Sequence, residues 1–482
     1  MKLLQPTFRI ASFMLLLWAG VMLLPALATP GDGHASRPFI LAAGTCLLLA
    51  LALHLAVRGT LLRFQPRTLF IATACNWLLL CFTGTLPWLY SGLGAGFVDV
   101  LFETVSGVTT TGASVFGNPE ALPRGLLLWR SLTQCVGGIG IIIVVVAILP
   151  SLKAGGMRLF RSESSEWAHL ERGRIAALAG QILLTYAAIT IACVVSYRLF
   201  GMSWFDALNH AMTTVSTGGF STHGESFGFF RNSHLQFVAS LFMILGACPF
   251  LLIVASLQQR KALLWRDRQV RLLLQLVLAN AVLISIWRWH QVPTAEPLRL
   301  LESSLFNVIS IITTTGFASE DYTLWGSFPI MVMAFLMFCG ACSGSTSGGI
   351  KLFRFQLLGI FMREQVHTAL HPTISYHRRY NGRPIPESIL VGSLAFLFCV
   401  ILSWSLCSCL LAATGLDPVT SASGALTALM NVGPGFGATI GPVGNFGTLS
   451  DPAKAVLIIA MLLGRLEFLA LVILFTREFW KW

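Results

Sequence analysis

Thr109-Thr110-Thr111-Gly112, Ser216-Thr217-Gly218-Gly219, Thr313-Thr314-Thr315-Gly316 and, more loosely, Met430-Asn431-Val432-Gly433 are four copies of one short pattern. Their closing glycines stand 107, 97 and 117 residues apart. Each copy follows a stretch that reads as a short helix, over 99–108, 206–215, 303–312 and 420–429, and long apolar runs flank all four. Asp99, Asp206, Ser303 and Thr420 each stand 13 residues before their glycine, and all are good helix N-caps. Phe102, Asn209, Phe306 and Ser423 share the offset of ten. A single Thr-Gly is ordinary helix-packing material in membranes, where small residues let backbones approach. Four copies with matched starts and spacing predict four loops converging on one axis.

The 482-residue chain is 55% hydrophobic and only 11% charged, with a mean hydropathy of +0.76. Soluble domains carry about a quarter charged residues. Stretches such as 126–149, 175–197, 235–257 and 386–413 reach the roughly 20 residues that span a bilayer. The predicted fold class is an all-α integral membrane protein. It has four pseudo-symmetric span–pore helix–span repeats around one ion path, plus an N-terminal two-helix hairpin. The hairpin occupies 1–58 and turns at Thr29-Pro30-Gly31-Asp32-Gly33; the repeats occupy 68–157, 174–262, 270–365 and 384–482. Such internal repetition implies pseudo-symmetry about a shared axis. Irregular Gly/Thr backbone cannot face lipid, so the four loops must be buried in protein or line a wet cavity.

The net charge of +12 is mainly a matter of topology. Ten spans starting inside place 23 Lys and Arg on the cytoplasmic side. Eight lie outside: Arg37, Arg124, Arg130, Arg198, Arg231, Arg288, Arg299 and Lys454. Arg465 alone falls within the membrane. This is the bias that the positive-inside rule describes, so no nucleic-acid partner is required, though the basic inner face could also dock an acidic partner. The longest basic linker surrounds His371-Pro372 and Asn381-Gly382-Arg383-Pro384. The 11 cysteines lie mostly in apolar runs, among them Cys46, Cys75, Cys81, Cys193 and Cys399, with Cys407 and Cys409 two apart on one span. Their spacing fits neither a metal site nor a disulfide framework, and the bland reading is small core residues. Lys2, the apolar run 13–24 and Ala26-Leu27-Ala28 resemble a cleavable signal peptide, but the run is long enough to span and is read as an uncleaved helix.

A cation leaving water must have its hydration shell replaced. Rings of backbone carbonyls do this without a fixed charge, and glycine takes the dihedrals that turn successive carbonyls inward. The short helix before each loop aims its negative end toward the axis, which favours cations. Two further features lie beneath the loops. Gly340-Ala341-Cys342-Ser343-Gly344-Ser345-Thr346-Ser347-Gly348-Gly349 interrupts the eighth span, and four Gly with three Ser cannot hold a stiff helix. Close helix packing and a mobile intramembrane loop are both compatible with it. Arg465, about fourteen residues into the last span, is either paired with an acid such as Glu467 or a positive barrier in the path. Positions 465 and 467 project to different helix faces, which weakens the pairing. Lys351 closes the Gly-rich segment, either snorkelling to headgroups or contacting the loop.

In these motifs the chain resembles the TrkH/TrkG potassium-uptake subunits of the Trk/Ktr/HKT superfamily. The likeness is carried by Thr109-Thr110-Thr111-Gly112-Ala113, Gly218-Gly219-Phe220-Ser221-Thr222, Thr314-Thr315-Gly316-Phe317 and Asn431-Val432-Gly433-Pro434-Gly435-Phe436-Gly437. Gly344-Ser345-Thr346-Ser347-Gly348-Gly349-Ile350-Lys351 and Gly464-Arg465-Leu466 complete it, and it runs over essentially the whole chain. It implies potassium uptake across the bacterial cytoplasmic (inner) membrane. Potassium would be bound by Thr110, Thr111, Gly112, Thr217, Gly218, Gly219, Thr314, Thr315, Gly316, Asn431, Val432 and Gly433. Glycine at all four filter positions is the pattern linked to potassium selectivity, and serine at the first is linked to sodium-permeable plant relatives. The gate would be Gly344, Ser345, Thr346, Ser347, Gly348, Gly349 and Arg465; Ser347 stands where many relatives have glycine. The resemblance also implies a homodimer and a separate cytosolic nucleotide-binding ring of TrkA type docked on the inner face. Membrane lipids surround the chain, no cofactor is expected, and potassium is the cargo.

A coupled secondary transporter, moving potassium with protons or sodium, is the alternative, since discontinuous helices at repeat interfaces suit it. Alternating access normally uses midplane carboxylates, and few are found: Glu103 and Glu302 lie on the short helices, but no buried acid cluster emerges. An enzyme is not expected: the chain has no His-Glu-x-x-His, no Gly-x-Ser-Gly and no P-loop.

Overall fold

The computed structural model describes residues 5–28, 33–58, 66–148, 172–371, 377–466 and 476–477. Helices α1 (Gln5–Leu27) and α2 (Gly33–Ala56) form the N-terminal hairpin. The first repeat runs through α3 (Pro66–Gly84), the short α4 (Leu86–Tyr90), α5 (Phe97–Val108) and α6 (Arg124–Ile148). The second comprises α7 (Arg172–Leu199), α8 (Trp204–Val215), α9 (Ser233–Ala247) and α10 (Phe250–Gln259). The third comprises α11 (Arg268–Gln291), α12 (Pro297–Ile312), α13 (Ser327–Cys339) and α14 (Leu352–Leu370). The fourth comprises α15 (Glu387–Ala413), α16 (Pro418–Met430) and α17 (Asp451–Arg465).

Among the described residues seven helices are long and apolar enough to cross a bilayer, or eight if a bent pair counts as one. That pair is α9 and α10, which meet at 95°. The apolar run expected to span over 235–257 is thus broken in two, and the cause is Cys248-Pro249. Proline has no N–H and ends the helix before it. The carbonyls freed at the break are taken up by another segment: Gly246 accepts from the Thr346 N–H at 3.2 Å and Ala247 from the Cys342 N–H at 3.3 Å. The Phe250 N–H, unsatisfied at the start of α10, donates to the Gly344 carbonyl at 3.0 Å. The Gly/Ser-rich segment thus sits in the elbow of the second repeat.

The short helices α5, α8, α12 and α16 are the four expected before the loops, but their starts were misplaced. The N-caps are Gly96, Ser203, Glu296 and Asp417, not Asp99, Asp206, Ser303 and Thr420. Ser203 and Asp417 accept from the N–H groups of Asp206 and Thr420 three residues on, and proline stands at the first turn of α12 and α16. These are the ordinary N-terminal signals read a turn too late. Ser303 lies well inside α12. Within the basic linker, Asn381-Gly382 makes a tight hairpin. Arg379–Tyr380 pairs with Arg383–Pro384, and Asn381 and Gly382 take φ values of 45° and 79°.

The N-terminal hairpin packs on the first repeat through aromatic contacts. Trp18 and Trp129 lie 4.9 Å apart between ring centroids, and the Trp129 indole N–H donates to the Gly84 carbonyl at 3.0 Å. Of the cysteines, Cys46, Cys81, Cys193 and Cys407 are buried core residues, whereas Cys75 and Cys409 face outward. Trp129 is completely buried, so Trp129→Ala removes both the aromatic pair and the bond that fixes the end of α3. A loss of about 3–5 kcal/mol is expected, read as a lowered thermal midpoint of the purified protein in detergent. An unchanged midpoint would mean that the hairpin does not brace the first repeat.

Candidate ion path

The short helices fix the loops by a hydrogen-bond pattern that recurs in every repeat. The N–H groups of Thr111, Gly218, Thr315 and Val432 donate to the carbonyls of Ser106, Thr213, Ser310 and Thr427, five residues back, at 2.8, 2.8, 2.9 and 3.0 Å. One residue earlier, Thr110, Thr217, Thr314 and Asn431 donate to Gly107, Thr214, Ile311 and Ala428. A trans peptide points its C=O opposite its N–H. Two successive carbonyls per loop are thereby turned away from the helix end, with no backbone partner on the helix itself.

The dihedrals repeat as well. Thr110, Thr217, Thr314 and Asn431 have φ of 53°, 51°, 57° and 54°, and Gly112, Gly219, Gly316 and Gly433 have φ of 83°, 80°, 81° and 111°. Left-handed backbone at a β-branched threonine is strained by about 1–3 kcal/mol and persists only where the surroundings dictate it. Asparagine tolerates it better, so the fourth loop reaches the same shape with a different residue.

The loops close on one another. A Cβ built on Gly112 would collide with the Gly218 carbonyl, on Gly219 with that of Thr315, and on Gly316 with that of Val432. At Gly433 it would approach the Thr111 carbonyl at 2.8 Å. The contacts run from the first loop to the second, third and fourth and back to the first, so the four carbonyls form one ring. The fourth link is the loosest of the ring. Side-chain clasps are unequal too. Thr109 and Thr111 share a hydroxyl hydrogen bond of 2.7 Å, and Thr313 and Thr315 one of 2.8 Å. Ser216 and Gly218, or Met430 and Val432, have no such pair of hydroxyls. Asn431 instead donates to the Thr111 hydroxyl and the Met461 carbonyl, both at 3.0 Å.

The 340–349 segment lies directly against the loops. Gly348 N–H donates to the Thr314 hydroxyl at 2.6 Å, and Gly349 N–H to the Met430 carbonyl at 3.0 Å. The Thr217 hydroxyl donates to that of Thr346 at 3.2 Å. Ser345 and Ser347 share a 2.7 Å hydroxyl contact, and the Lys351 ammonium donates to the Ser347 carbonyl. Lys351 therefore touches the loop. Arg465 is buried and donates to the Thr346 carbonyl at 2.8 Å and the Gly137 carbonyl at 3.2 Å. Its observed partners are carbonyls; Glu467 lies outside the described residues. Thr110 Oγ1, Asn431 Oδ1 and Arg465 Nε are buried without a hydrogen-bond partner.

Several positioning residues were not singled out in advance. Arg130 and Lys454, counted as outside charges, are buried. Arg130 Nε pairs with Glu103 at 2.7 Å, and Lys454 with Asp99 at 2.6 Å. Glu103 also accepts from the Val115 N–H at 2.9 Å. Glycines 137, 246 and 464 admit the carbonyls of Val108, Val215 and Leu429, each four residues before its loop glycine. The signals were present: polar residues inside an apolar run, and a glycine some 25–31 residues beyond the loop glycine in three repeats. Glu302 is exposed. Among the described residues no group of three or more His, Cys, Asp or Glu could hold a metal ion.

A profile of the TrkH family, described as a cation transport protein, matches residues 38–481. The chain is 40% identical to the Trk system potassium uptake protein TrkI of Halomonas elongata, over 99% of this chain and 97% of that one. It is 36% identical to TrkG of Escherichia coli over 87% of each chain. The crystal structure of the potassium transporter TrkH from Vibrio parahaemolyticus superposes with a TM-score of 0.90, covering 99% of both chains at 31% identity. The matched proteins are transporters, not enzymes, and the many apolar helices make this a multi-pass protein of the cytoplasmic membrane. The chain belongs to the TrkH family of cation transport proteins.

Proposed function

We propose that this chain takes up potassium through a path selected by the four loops and gated beneath them. The observation that carries the reading is the closed ring of the Thr111, Gly218, Thr315 and Val432 carbonyls, each set against the glycine of a neighbouring loop. Neutral carbonyls replace hydration without trapping the ion. The ion is bound by residues 110–112, 217–219, 314–316 and 431–433, supplied by the quarter units 68–157, 174–262, 270–365 and 384–482. Buried polar atoms left without protein partners at Thr110, Asn431 and Arg465 suit a hydrated passage.

The gate is the 344–349 segment with Arg465. The segment is tied to three of the four loops, so it cannot shift without releasing contacts at the floor of the ring. The guanidinium places a positive charge beside it. The relatives' printed name, Trk system potassium uptake protein, fits a transporter that works with a separate regulatory subunit. The assembly that the family resemblance implies is a homodimer in lipid, regulated by a cytosolic nucleotide-binding ring of TrkA type. No cofactor takes part. Coupled transport is less well supported, because Glu103 is already engaged by Arg130, Ser114 and the Val115 N–H.

Two measurements test this reading. Gly112→Ser puts a side chain against the Gly218 carbonyl at φ 83°. With a strain of about 1–3 kcal/mol, it should abolish rescue of a potassium-transport-deficient strain and raise sodium relative to rubidium flux about tenfold in vesicles. Retained rescue with an unaltered ratio would remove the first loop from the filter. Arg465→Ala should increase passive cation leak through purified protein in vesicles; leak equal to the parent protein's would sink the barrier role.

A further inference from the structure

Resting on the proposed potassium path, we infer that Gln134 is a selectivity-determining positioning residue, which supplies to the second loop the side chain that Gly218 lacks. Three of the four ring carbonyls belong to residues with side chains, Thr111, Thr315 and Val432, and the fourth belongs to Gly218. Glycine there is not demanded by backbone shape, because Gly218 is absent from the positive-φ residues, unlike Gly219 at 80°. It is demanded by space. A Cβ on Gly218 would run into the carboxamide of Gln134.

Gln134 comes from α6 of the first repeat and is completely buried. Its Nε2 donates to the Gly218 carbonyl at 2.7 Å, and its Oε1 accepts from the Phe220 N–H at 3.1 Å. A carbonyl and an N–H require opposite ends of the amide, so only one orientation of the side chain satisfies both. One helical turn earlier Arg130 continues the brace, donating to the Ser221 carbonyl at 3.1 Å and lying 4.3 Å over the Phe220 ring. Loops one and three hold themselves by the Thr109–Thr111 and Thr313–Thr315 hydroxyl pairs; loop two is held from the neighbouring repeat. The amide also donates onto a ring oxygen, which lowers the electron density that oxygen offers to a cation. Gln134 therefore sets both the direction and the field strength of one ring position in four.

The test is a double-mutant cycle read as the rubidium-to-sodium flux ratio in vesicles. Gln134→Ala should lower the ratio roughly five- to tenfold, the scale of one or two lost buried hydrogen bonds. Gly218→Thr alone should lower it further or stop flux, because the new side chain meets Gln134. Together, Gln134→Ala and Gly218→Thr clear that space and set a threonine two residues after Ser216, as in loops one and three. The pair should then select better than either single variant, a coupling well beyond additivity. An additive pair, or a parent-like ratio in Gln134→Ala, overturns the inference. Gln134→Met is the companion variant: a similar volume with no donor for the Gly218 carbonyl should also lose selectivity, and a parent-like ratio there overturns the inference too. A parent protein with no potassium preference would instead defeat the underlying reading.

Discussion

Every buried backbone N–H at membrane depth needs a partner inside the protein, and here that requirement shapes the path. The short helices end by taking back the N–H groups of the very residues that follow them. Because peptide planarity couples N–H to C=O, satisfying the donors at the helix end exposes the acceptors on the other side. In the proposed reading, an oxygen-lined surface thus arises without an acidic side chain. The cost is four residues at positive φ, three of them threonines, all completely or almost completely buried by the packing around them.

One chain supplying four similar quarters can treat each differently, and this one does. Loops one and three share a hydroxyl clasp, loop two borrows Gln134, and loop four uses asparagine to reach both loop one and α17. The third repeat departs most below the loops. There the second helix breaks at Gly340 instead of continuing, and the released segment fills the elbow that Pro249 makes in the second repeat. The two irregularities complete each other: carbonyls freed by one break accept from N–H groups freed by the other.

The repeat, its helix ends and its loops were legible because they depend on local chemistry. Threonine, glycine and a preceding apolar helix recur at fixed offsets, and three of the helices end where expected. What sequence pattern missed lies between repeats. Arg130 looked like an outside charge because the pairing acid, Glu103, is 27 residues away on another helix. Lys454 finds Asp99 across 355 residues, and no periodicity reports that closure of the first repeat on the last. The bend at Pro249 was readable as a proline, but the segment that takes up the groups it frees lies nearly a hundred residues later. The helix starts were misplaced because Asp206 and Thr420 are good caps that happen to follow better ones.

Arg465 shows why the lower half of the path is best understood as a unit. Its observed bonds go to two neutral carbonyls, one on α6 and one at Thr346, so its charge is held by dipoles. Desolvated charges are costly unless richly hydrogen-bonded, and Nε has no partner. Thr346 also bonds Gly246 and Val215 through its hydroxyl, which ties the guanidinium indirectly to the second loop's helix. Moving the 344–349 segment therefore removes half of the arginine's anchoring in the same step. In the proposed reading, the steric block and the electrostatic block are one device, because the Arg465–Thr346 bond is lost when either group moves.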